Sequence, residues 1–408
     1  MRDNIIIKQK RDYFSFFIIF MLYLNGIFIE SALFYIKPFQ IFAPFLVLVF
    51  FAKSSLVTNK IKFQIHDLFF IFLFFLALIS LIYSTNIDVA ASLRLIGNLS
   101  ILYLYYFFAK NLLAKKTPNQ LVSIVLISSL IYSCLSLLVY LESMFNAIGL
   151  SHFILSHRLG FVIGGFGKIR MSGLEIDPNF FVLYLTPGLF LSLWSILIKH
   201  KVINKKLSYT VFISTFICLI LSLSRVGILT NISLIFLTLL FIFKRIKFQH
   251  LIIISIIIIV LLNVFRDEIL SRFELITTEF QPMGMNRYSL LLFGLDLFQK
   301  SPFFGLGFNQ FAEYFSRSYG EIRYSHNTYL SVLVELGIIG LGLYLLFLFF
   351  LFRNLYLKSE RCGNKNKWIY QAFIIILLSQ CIQITSLYAI SSSALWLSFI
   401  LSSILILG

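Results

Sequence analysis

The sequence predicts an all-α polytopic membrane protein of about twelve transmembrane helices, with one long extracytoplasmic loop that carries an amphipathic helix. Three observations lead there. The 408-residue chain is 59% hydrophobic and only 12% charged, with 48 Phe and a mean hydropathy of +0.93; a soluble chain carries about twice that share of charge. The apolar residues gather into runs near the ~17–25 residues that a spanning helix needs. The Lys and Arg residues gather at alternate ends of those runs, as membrane insertion favours.

In chain order the runs fall at 14–35, 38–52, 67–84, 92–109, 121–142, 180–198, 208–223, 226–243, 249–265, 328–352, 369–387 and 391–407. The first is too long and too aromatic for the apolar core of a signal peptide, and no small-residue cleavage site follows it. The runs at 38–52 and 208–223 are short for spans. Ahead of the sixth, Asp177-Pro178-Asn179 reads as a helix start, since Asp is a favoured N-cap and Pro a favoured first-turn residue. Two connections exceed the usual loop length. Residues 143–179 are mixed in character. Residues 266–327 are aromatic and charged, too apolar for a disordered tail, and Tyr288 to Phe298 places apolar residues at helical spacing. This segment is expected to be a folded cap with a helix lying along the membrane surface. The chain thus divides into an N-terminal transmembrane bundle (1–265), an extracytoplasmic loop or cap (266–327) and C-terminal transmembrane helices (328–408).

The net charge of +17 is a topology signal and needs no nucleic-acid partner. With the N-terminus inside, the inner segments hold most of the 34 Lys and Arg, yet only Asp3, Asp12, Asp67 and Glu360 of the 17 acids. Both termini are therefore expected in the cytoplasm. The four cysteines form no CxxC pair or Cys/His cluster, so neither a disulfide frame nor a metal site is expected. No phosphate loop, dinucleotide fingerprint or HExxH occurs, and no cofactor is expected. Gly164-Gly165-Phe166-Gly167 and Gly305-Leu306-Gly307 read as turns.

Several polar residues are harder to explain by folding alone. His326-Asn327 stands where the long loop meets an apolar helix, and histidine is the usual general base near neutral pH. Its bland reading is an interfacial histidine bonded to a carbonyl. Asn327 orients the ring or the acceptor, or simply caps the helix. Arg225 lies between two apolar runs, where an arginine costs roughly 2.5–3.5 kcal/mol at mid-membrane; its bland reading is a snorkelling side chain at a helix end. Arg287 opens the expected cap helix, and Arg170 lies in the mixed segment; either is ordinary if solvated. Asp177 and Asn179 are candidate substrate contacts beyond their helix-start role.

Taken together, these motifs resemble the O-antigen ligase/polymerase superfamily, membrane glycosyltransferases of the GT-C type. The resemblance rests on His326-Asn327 with Gly337 and Gly340, on Arg225 followed by Leu229, on Arg287, on Ser301-Pro302-Phe303-Phe304-Gly305-Leu306-Gly307 and on Asp177-Pro178-Asn179. It covers roughly residues 165–345. It implies glycan transfer on the outer (periplasmic or extracellular) face of a bacterial plasma membrane. The donor is a saccharide on undecaprenyl diphosphate, and the acceptor is another lipid-linked saccharide. In that reading His326 is the base, while Arg225, Arg287 and Arg170 hold the diphosphate in place of a metal. The transfer is inverting. Partners would be donor, acceptor, membrane lipids and a chain-length regulator. A repeat-unit polymerase (Wzy type) making O-antigen or capsular polysaccharide leads over a ligase that delivers polymer to lipid A core. A lipid-linked glycan transporter is the reading from another class, and the runs show no obvious matched pair of interrupted helices in its favour.

Overall fold

The computed structural model describes residues 13–25, 27, 29–30, 35–56, 61–83, 89–147, 159–163, 169–198, 203–242 and 287–408. Its helices are α1 (Tyr13–Tyr23), α2 (Pro38–Leu56), α3 (Ile65–Tyr83), α4 (Val89–Leu113), α5 (Pro118–Ala147), α6 (Pro178–Leu197), α7 (Lys205–Leu221), α8 (Arg225–Ile242), α9 (Arg287–Lys300), α10 (Phe311–Tyr319), α11 (Thr328–Arg361), α12 (Asn364–Gln383) and α13 (Ser393–Leu407). Every expected apolar run within the described residues contains a helix, and the run at 249–265 lies outside them. Among the described residues, 6 helices (α3, α4, α5, α6, α11 and α12) are long and apolar enough to cross a membrane, whereas α1, α2, α8 and α13 are apolar but shorter. The first run is cut short. Helix α1 stops at Tyr23, Asn25 turns aside to donate to Glu175 Oε2 at 3.3 Å, and Ile29–Glu30 pairs with Tyr35–Ile36 in a small antiparallel ladder.

Helix α6 is the centre of the bundle. Nearly all its side chains are buried, and it packs against α5, α7, α8 and α12. Helices meet through small hydroxyls as well as apolar contacts: Ser133 donates to Ser214 at 2.9 Å, Ser208 to Ser195 at 2.9 Å, and Tyr23 pairs with Ser129 at 2.9 Å. Such pairs suit an apolar medium, where packing and hydrogen bonds replace the hydrophobic drive. Two charges that the sequence places with the inner loops are inside the bundle instead. Lys110 and Asp67 are fully buried and ion-paired, with Tyr106 donating to Asp67 at 2.6 Å. They cancel each other, so the charge asymmetry of the loops survives.

Of the expected cap, residues 287–327 are described, and they pack on the membrane helices. Helices α9 and α10 rest on the first turns of α11 through Leu290, Leu297, Phe311, Phe315, Leu330 and Val334. The segment between α9 and α10 is inserted into α11 itself. That helix is broken at Gly337, whose φ of 69° and ψ of −170° are not helical. In an unbroken helix Ile338 and Ile339 would donate to Val334 and Glu335. Here Ile338 and Ile339 donate to Pro302 and Phe303, and Val334 and Glu335 accept from Leu306 and Gly307. The loop thus takes over both sides of the break and satisfies these backbone groups, each of which would cost several kcal/mol if left unpaired in the membrane. Two glycines allow this approach. A Cβ on Gly305 would lie 2.3 Å from the Glu335 carbonyl carbon, and one on Gly337 would lie 2.2 Å from the Phe303 oxygen. Helices α3 and α4 hold the insert from the other side: Tyr83 donates to Phe304, Ser80 accepts from Phe308 N and Ser92 donates to Phe308 O. The Gly305-Leu306-Gly307 turn is therefore a splice between two segments of the fold.

Candidate functional site

The site begins at the start of α6. Asp177 accepts from the Asn179 amide at 2.6 Å and caps the helix, with Pro178 in the first turn. Asn179 Oδ1 then accepts from Ser224 Oγ at 2.7 Å and from Arg170 at 3.4 Å. Arg170 belongs to the hairpin Gly160–Ile163/Ile169–Gly173 and also donates to the Ser222 carbonyl at 3.3 Å. Asn179 thereby ties the hairpin, α6 and the α7–α8 junction together. Ser224 was not singled out by its sequence context; it is one polar residue among many.

The α7–α8 junction is tight. Leu223 adopts a left-handed backbone (φ 47°), a conformation costly for a bulky residue. Arg225 follows as the first residue of α8 and is half-buried. Arg287 is likewise the first residue of α9. Helix dipoles place partial positive charge at these ends, so both guanidinium groups add to fields of their own sign. Such a place attracts anions.

His326 lies one residue before Asn327, the N-cap of α11, whose side chain accepts from the Leu330 amide at 3.1 Å. This is the capping role for Asn327. His326 has a left-handed backbone (φ 50°) and a side chain that reaches solvent on one side while neighbouring atoms crowd the rest of it. The turn is held by Ser325, which donates to the Asn327 carbonyl at 2.9 Å and accepts from the Asn327 amide at 3.2 Å.

Electrostatics link these residues. Arg287 is held below its ordinary pKa by burial first, then by Arg225, with Asp177 opposing and Arg170 adding. The imidazole of His326 is held below the usual 6.5 by burial first, then by Arg287, with Asp177 opposing and Arg323 adding. The structure therefore gathers Arg170, Arg225, Arg287, Asp177, Asn179 and His326 into one neighbourhood, although the sequence spreads them from 170 to 326. Arg323 is an addition, hidden in sequence among other loop charges. Chemically, three arginines near one capping aspartate carry excess positive charge suited to a polyanion, beside an imidazole whose surroundings disfavour its charged form.

Residues 210–345 match the family described as O-antigen ligase. The match covers about a third of the chain and includes Arg225, Arg287 and His326-Asn327, while Arg170, Asp177 and Asn179 lie before it. It supports the O-antigen ligase/polymerase superfamily for this membrane protein. No curated protein matches the chain.

Proposed function

We propose that this protein is a glycosyltransferase of a bacterial plasma membrane that polymerises oligosaccharide repeat units carried on undecaprenyl diphosphate, forming O-antigen or capsular polysaccharide. The observation that carries the proposal is a chain of close charges: Arg287, at the start of α9, feels Arg225 at the start of α8, Arg170 of the hairpin and Asp177, and His326, just ahead of α11, feels Arg287 and Asp177. His326 takes the proton of the acceptor hydroxyl. The hydroxyl oxygen forms a bond to the anomeric carbon from the face opposite the leaving group, and the bond from that carbon to the diphosphate oxygen breaks. That opposite-face attack inverts the anomeric centre, and the arginines take up the charge left on the diphosphate in place of a metal ion. Asn179 orients Arg170, and Asp177, which fixes Asn179 at the start of α6, contacts substrate or orients it. Delivery of finished polymer to lipid A core is the second reading, favoured by the description of the matched family.

Removing the protein from its host separates the two. A polymerase predicts single repeats in place of long chains; long chains stranded on the carrier lipid would replace it with the ligase reading; an unaltered glycan profile would defeat both. The loop-charge bias supports a site on the outer face, with both termini cytoplasmic. A cysteine at the exposed Ser318 of α10, in a chain freed of its own cysteines, should react with an impermeant maleimide in intact cells. Reaction only after permeabilisation would put the site on the wrong side for an outward-facing donor.

A further inference from the structure

We infer that Tyr324 is a stacking platform for a pyranose ring of the glycan, held beside the reacting centre. The inference rests on the glycan-transfer reading and adds a sugar subsite to it. Tyr324 precedes His326 by two residues, and its side chain is 47% exposed. Its ring lies parallel on that of Tyr388, with centroids 5.8 Å apart and planes 10° apart. The two rings are thus offset neighbours, and Tyr324 is braced by Tyr388 while about half of the residue stays exposed.

The supporting ring is fixed at both ends. Thr328 donates to the Leu387 carbonyl at 2.6 Å and accepts from the Ala389 amide at 2.9 Å, which clamps the backbone on each side of Tyr388. The Tyr388 hydroxyl donates to Glu335 Oε2 at 3.3 Å. Glu335 is buried and also accepts from the Phe311 amide at 3.5 Å, next to the break in α11. Thr328 and Glu335 are seven residues apart on one helix, so a single helix face holds the stack. A rigid aromatic face loses little conformational freedom on binding. The axial C–H groups of a pyranose present an apolar, slightly positive surface that fits the negative face of an aromatic ring. Arg323 and Glu321, exposed and paired at 3.2 Å, provide charged groups beside the ring that can bond sugar hydroxyls. Those neighbours mark a wet surface and argue against a lipid chain on the same face.

The test uses the purified full chain and two readouts. In the first, transfer kinetics are measured with the lipid-diphosphate-linked repeat unit. Tyr324→Ala is expected to raise KM about tenfold, the scale of one lost ring contact, with kcat within about twofold, and Tyr324→Phe to match wild type. The second is saturation-transfer NMR with the repeat-unit oligosaccharide released from its carrier by mild acid, which lacks the diphosphate. Ring C–H signals should be saturated by wild type and Tyr324→Phe, and lost with Tyr324→Ala. Unchanged KM and unchanged saturation in Tyr324→Ala would overturn the subsite, as would a fall in kcat with KM unchanged. If wild type saturates the sugar through Tyr324 but transfers no glycan, the subsite stands and the transfer reading fails.

Discussion

His326→Ala is expected to slow glycan transfer by about 10²–10⁴-fold, the usual contribution of a general base, or about 3–5 kcal/mol of barrier. The donor should still bind, because the proposed mechanism assigns its diphosphate to Arg170, Arg225 and Arg287. The pH profile gives a second reading. Only the neutral imidazole accepts a proton, so the wild-type rate should be flat at neutral pH and fall as pH drops through the pKa of His326. Burial and Arg287 hold that pKa below 6.5, so the loss belongs on the acid side of this value. Arg323 also disfavours the imidazolium, and Arg323→Gln should move the acid limb to higher pH. Kinetics of the purified variants check both points. A His326→Ala variant with normal turnover at neutral pH removes the base assignment. One that no longer binds donor puts His326 in the diphosphate site instead.

Arg225→Lys and Arg287→Lys should each lower transfer by about ten- to hundredfold while expression stays normal. Lysine keeps the charge but replaces a planar fork by a point donor, and a lost bond to a charged group is worth about 1.5–3 kcal/mol. Both positions open a helix, so a lysine there still adds to the field of the dipole. The variants thus separate fork geometry from charge. Near-normal rates in both would mean that general positive potential suffices. Loss in one only would identify the arginine that grips the leaving group.

Much of the bundle was legible in the sequence because its signal is local: an apolar run of spanning length folds as a helix wherever it lies. The candidate site residues could be picked out because Arg225 and His326 stand at the ends of apolar runs, where packing alone gives them no role, and Arg287 opens an amphipathic stretch. The break in α11 was not legible. Residues 328–352 read as one unbroken apolar run, and the groups that replace the lost helical bonds come from Pro302 to Gly307, far upstream. An interrupted helix is therefore present where the sequence showed none, but its gap is filled by the chain's own loop. The buried Lys110–Asp67 pair was hidden for a similar reason, since a charge near a run's end looks the same whether it faces water or a partner on the next helix. Tyr324 was lost among 20 tyrosines, and only its stack on Tyr388 distinguishes it.

Transfer by the purified protein in the presence of EDTA tests the central claim most directly. The protein is given only the undecaprenyl-diphosphate-linked repeat unit, and the lipid-linked products are sized by electrophoresis and mass spectrometry. An arginine-held diphosphate with a histidine base predicts chains of two or more repeats, with undecaprenyl diphosphate released, in chelator alone. No chain growth, or growth only when Mg²⁺ or Mn²⁺ is restored, would contradict it.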